Sequence, residues 1–148
     1  MKPIFHAIAG TLAMLIIFSF WISTLVSELF LDYAAVTAVK QAIIYALFIL
    51  IPIMASTGGS GYILGQSHKG NVLVKKKIRM KIIAINGFLV MIPAAIFLNN
   101  KATVLEFDAI FYTVQVVELI VGAVQLTLMS MNFRDGLKLS EKTHLREN

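Results

Sequence analysis

The 148-residue chain has no cysteine. That excludes disulfides, thiolate-ligated haem, iron–sulfur clusters, cysteine-rich zinc sites and thiol catalysis. Charge is scarce as well: 14% of residues are Asp, Glu, Lys or Arg, against roughly 25% in an average soluble domain. Enzyme signatures are missing too. There is no H-E-x-x-H, no G-x-S-x-G and no dinucleotide fingerprint, and no Gly-Lys-Ser/Thr follows the glycines of 57–71.

What the chain has in quantity is apolar surface. Hydrophobic residues make up 58% of it, and the mean hydropathy is +0.82. So short a soluble chain needs polar residues on the large surface it leaves exposed, so the natural solvent is a bilayer. Four runs have the roughly 17–25 apolar residues that cross a hydrocarbon core. They cover about 4–25, 34–55, 78–98 and 109–131, the third starting at Ile82 or, with its basic residues snorkelling, at Ile78. The first run is too long for a signal-peptide core and lacks an A-x-A-like cleavage site after it.

Basic residues mark the sides. Of the thirteen, all but Lys40 and Lys101 lie before the first run, between the second and third, or after the fourth. The preference of Lys and Arg for cytoplasmic loops then puts both termini inside. Short loops make neighbouring helices antiparallel, so the expected fold is an up-down-up-down four-transmembrane-helix bundle over residues 1–131, with a polar cytoplasmic tail over 132–148. The glycines after Thr57 are expected to break or end the second helix. Solvated positive-inside loops account for the pI of 9.6 without nucleic acid, and anionic lipid headgroups are the natural partners.

Small and polar residues mark the faces where membrane helices meet. Ala34, Ala38, Ala42 and Ala46 form one such row, and it serves folding and a homodimer equally well. In the fourth run, Phe111, Gln115, Glu118, Gly122, Gln125, Met129 and Asn132 follow steps of three and four, a stripe too polar for lipid. A carboxylate at such depth must be protonated, paired or beside water. Lys40 is the available cation, and its depth differs from that of Glu118 by about 4–5 Å at 1.5 Å per residue. Asn86 and Pro93 add an amide and a kink in the third run. The pair is either a clasp that sets helix register or a proton or ligand site.

Histidine suggests a cofactor. His6 opens the first run and His68 follows the second, on the same side. Two imidazoles as metal ligands, or one with a methionine such as Met80, Met14 or Met54, would suit b-type haem, with Arg79 pairing a propionate. The first functional expectation is therefore a haem-binding membrane protein for electron transfer, haem handling or sensing, with an unknown redox partner. The second is a transport or channel component with a polar path through Lys40, Asn86, Gln115, Glu118 and Gln125. The third is a structural membrane subunit.

The string KIRMKIIAINGFLVMIPAAIFL at 77–98, with TGGSG at 57–61, FYTVQVVEL at 111–119 and NFRDGL at 132–137, resembles a family of uncharacterised four-helix bacterial inner-membrane proteins. The resemblance covers nearly the whole chain. It implies a bacterial cytoplasmic-membrane location and a self-contained four-span unit, and it points to His6, Arg79, Asn86, Gln115 and Glu118 as positions to test.

Overall fold

The computed structural model describes the backbone of residues 2–66 and 71–147 and the side chains of 4–59 and 77–137. The elements are α1 (Lys2–Phe30), α2 (Tyr33–Gln66), α3 (Asn71–Asn86), α4 (Ile92–Thr103) and α5 (Ala109–Glu147). A π-helical turn, Gly87–Met91, joins α3 to α4 as one continuous third helix. Four stretches are long and apolar enough to cross a membrane: Ile4–Phe30, Tyr33–Gly59, Lys77–Thr103 and Ala109–Leu137. At 1.5 Å per residue each reaches about 40 Å, more than the thickness of a bilayer's hydrocarbon core.

Local chemistry sets the helix ends. Asp32 caps α2, its Oδ1 accepting from Ala35 N at 2.9 Å, and Asp108 caps α5, its Oδ1 accepting from Phe111 N at 2.8 Å. At the end of α4, Glu106 N donates to Lys101 O and Leu105 N to Ala102 O, the two bonds of a Schellman motif. Leu105 takes its left-handed position at φ 58°, where glycine is the usual residue.

One expectation needs correction. α2 does not end at its glycines but continues through Gly58 and Gly59 to Gln66. Glycine costs a helix only about 1 kcal/mol, which the turns on either side absorb. The polar segment after the fourth run is itself helical, since α5 continues past Met131 to Glu147; it contains no proline and is rich in Leu, Lys, Arg and Glu. The alanine row of α2 lies mostly on the outside of the single chain, the homodimer side of the two alternatives. Ala34, Ala38 and Ala42 are exposed, and the inward face is Val36, Lys40, Ile43 and Leu50.

Pro93 explains the π turn. Proline has no N–H, and its ring crowds the carbonyl four residues back, that of Leu89. Widening the turn just before it relieves this crowding, and Ile92 N donates to Gly87 O, five residues earlier.

α1 packs against α2 and α5, and the third helix packs against the same two. Among the described residues, α2 and α5 make no backbone contact with each other, so they occupy one diagonal of a four-cornered bundle. Ala13, Ile17, Leu50, Ile83 and Met129 form one buried cluster, and Val36, Leu98, Ala102 and Phe111 another nearer the Lys101 end. The outside is apolar: Phe5, Phe18, Phe48, Phe88 and Ile120 are all at least half exposed. A continuous surface of this kind suits lipid and would associate in water.

Candidate functional site

Polar side chains lie between the two apolar clusters. The three-and-four spacing of α5 turns Gln115, Glu118, Gly122 and Gln125 inward together, and all four are buried. From the opposite corner α2 contributes Lys40, which is 1% exposed. Lys40 Nζ donates to Glu118 Oε2 at 2.9 Å, and Gln115 Nε2 donates to the same oxygen at 3.1 Å. The ion pair therefore bridges two helices whose backbones do not touch. An ion pair in a low-dielectric interior offsets its desolvation only with close geometry and added hydrogen bonds, and Gln115 supplies one of these.

Glu28 is a third member, three residues past the end of the first apolar run at Leu25. Because α1 runs on to Phe30, Glu28 lies on helix, within electrostatic reach of both Lys40 and Glu118. Its Oε1 is buried, as is Gln115 Oε1, and neither has a hydrogen-bond partner among the described residues. A signal was present: Ile17, Trp21, Thr24 and Glu28 follow steps of four, three and four, so they share one face of α1.

Beside the pair is a cavity of about 320 Å³ between all four helices. Its walls are largely apolar and aromatic, with Phe20 and Trp21 from α1, Met54 from α2 and Phe88 from the π turn, while Thr24, Glu118 and Gln125 bring polar groups. Trp21 is held by its indole N–H, which donates to Leu119 O at 2.9 Å. Gly122 lies beneath that indole: a Cβ there would sit 2.9 Å from Trp21 Cδ1, closer than real side chains approach. Asn86 Nδ2 donates to Gln125 Oε1 at 2.9 Å, and Gln125 Nε2 donates to Ile83 O at 3.1 Å. Of the five residues of the expected polar path, Lys40, Gln115 and Glu118 thus form one cluster and Asn86 and Gln125 another.

Two of the haem candidates have polar partners of their own. His6 Nδ1 lies 3.1 Å from Thr57 O. A carbonyl only accepts, so this nitrogen carries the hydrogen and ties α1 to α2. Arg79 Nη2 donates to Asp135 Oδ2 at 2.6 Å, joining α3 to α5 through an aspartate the sequence reading did not single out. Met80 is half-buried on α3, a helix with no backbone contact to α1. His68 lies outside the described residues. Among those described, no three His, Asp or Glu side chains group closely enough to hold a metal ion.

At the far end Lys101 Nζ donates to Asp108 Oδ2 at 2.6 Å and to Glu106 Oε2 at 3.1 Å. The Lys101 hydrogen bond, with that from Phe111 N, holds the Asp108 carboxyl below the ordinary aspartate range.

Comparison of the chain with family models, with characterised proteins and with solved structures returns no match. The site's own chemistry therefore carries the functional reading.

Proposed function

We propose that the chain is a small transport component of a bacterial cytoplasmic membrane, crossing it four times in up-down-up-down order with both termini inside. Lys40 and Glu118 form its intramembrane charge site. The observation that carries this reading is the Lys40–Glu118 contact at 2.9 Å, with Glu118 also on the wall of the cavity. Ionisable side chains at membrane depth are costly, and they recur where protons or charged solutes pass. The cluster gathers two carboxyl groups and one amine at one depth, the kind of groups along which protons pass. The uneven distribution of basic residues supports the orientation.

The test is proton flux into proteoliposomes that enclose pyranine, driven by a valinomycin-clamped potassium potential. Wild-type protein is expected to acidify the lumen faster than empty vesicles, and Glu118→Gln to abolish the difference. Flux unchanged in a folded Glu118→Gln protein would contradict the proposal.

A further inference from the structure

Resting on the transport reading, we infer that the cavity beside Glu118 is a binding site for a small lipophilic cation, an aromatic or quaternary-ammonium monocation. Three observations point to this class. The first is the make-up of the cluster: two carboxyl groups, Glu118 and Glu28, gather around one lysine, Lys40, which is hydrogen-bonded to Glu118. The second is the direction of the carboxylate. Both of its hydrogen bonds among the described residues go to Oε2, leaving Oε1 without one in a residue that lines the cavity. The third is the wall: Phe20, Trp21 and Phe88 present aromatic rings, and Met54 and Met91 present polarisable thioethers. Aromatic faces attract a cation through the ring quadrupole, most strongly where water is excluded. An anion would meet the Glu118 carboxylate on the wall, and a neutral molecule would gain nothing from it.

The shape of the site adds to this. Trp21 is the single tryptophan of the chain, fixed by its bond to Leu119 O and seated on Gly122, where a side chain would displace it. Its ring is thus presented to the cavity in a defined orientation. It also reports on occupancy.

The experiment titrates Trp21 emission in lipid nanodiscs with phenyltrimethylammonium and with its uncharged isostere tert-butylbenzene, which differ in charge and hardly at all in shape. The cation is expected to change the emission saturably and to bind about tenfold more tightly than the isostere. Glu118→Gln is expected to remove that preference. Glu28→Gln leaves the Lys40–Glu118 pair intact and is expected to reduce the preference severalfold, so the inference can be tested even where Glu118→Gln does not fold. Equal binding of cation and isostere, no saturable change with either, or an unchanged preference in Glu28→Gln would each overturn it. Because proton flux is measured without either probe, its persistence alongside failed cation binding would overturn this inference and leave the transport reading standing.

Discussion

Lys40 Nζ and Glu118 Oε2 meet at 2.9 Å across a diagonal of the bundle, although the helices that carry them have no backbone contact. The two side chains fill space that apolar groups would otherwise occupy, and each satisfies the other's charge. Removing one partner leaves a buried charge alone. Lys40→Met or Glu118→Leu is expected to destabilise the protein by about 3–5 kcal/mol, and the double variant by much less than the sum. Thermal unfolding in one detergent at one pH checks this. Additive losses would mean that the pair is not coupled.

Gly122 is required by Trp21. Gly122→Ala puts a methyl group 2.9 Å from the indole, an overlap expected to cost about 1–3 kcal/mol and to shift Trp21 emission as the ring moves toward a new environment. Trp21→Ala in the same chain removes the obstacle. The alanine at 122 should then cost nothing further, which a comparison of melting temperatures decides.

Leu105 occupies a left-handed position that disfavours a side chain by about 1–2 kcal/mol. It is 67% exposed, so little packing opposes its removal. Leu105→Gly is therefore expected to raise the melting temperature, and a fall would show that the leucine is held by something other than the turn.

Asp108 links stability to pH. Its carboxyl is held below the ordinary range by Lys101 and by the N–H of Phe111. A lowered folded-state value contributes stability that is fully present above the unfolded value, near 3.9, and disappears as pH falls through the folded value. Asp108→Asn should thus melt a few degrees below wild type at pH 7, and the gap should close in strong acid. A gap independent of pH would assign the effect to the cap alone.

Orientation is accessible because the native chain lacks cysteine. Thr103→Cys and Arg134→Cys place single thiols at exposed positions near opposite ends of the bundle. In intact cells an impermeant maleimide is expected to label the first and not the second. The reverse pattern would invert the topology.

The polar stripe of α5 was readable from spacing alone, because any residues three and four apart share a helix face and lipid rejects Gln115, Glu118 and Gln125 together. Depth arithmetic then brought Lys40 to Glu118. The alanines of α2 could not be placed by pattern: alanine is as comfortable against lipid as against another helix, so Ala34, Ala38 and Ala42 carry no directional information. Glycine misled at Gly58 and Gly59, where its local cost is small beside the neighbouring helical turns. Glu28 was missed because hydropathy ended the first run at Leu25, while the helix continues to Phe30. The partners of the haem candidates were not legible in the sequence. His6 is tied to Thr57 and Arg79 to Asp135, contacts between distant segments that no local pattern announces.

The account stands on the Lys40–Glu118 pair being a working charge site and not solely a clasp. The double variant Lys40→Met/Glu118→Leu separates the two, because it replaces the pair with apolar groups of similar length that can fill the same space. The decisive measurement is proton flux through this variant in proteoliposomes, with Trp21 emission confirming a native fold. The account predicts a folded protein with flux no greater than that of empty vesicles, and wild-type flux from the folded double variant would contradict it.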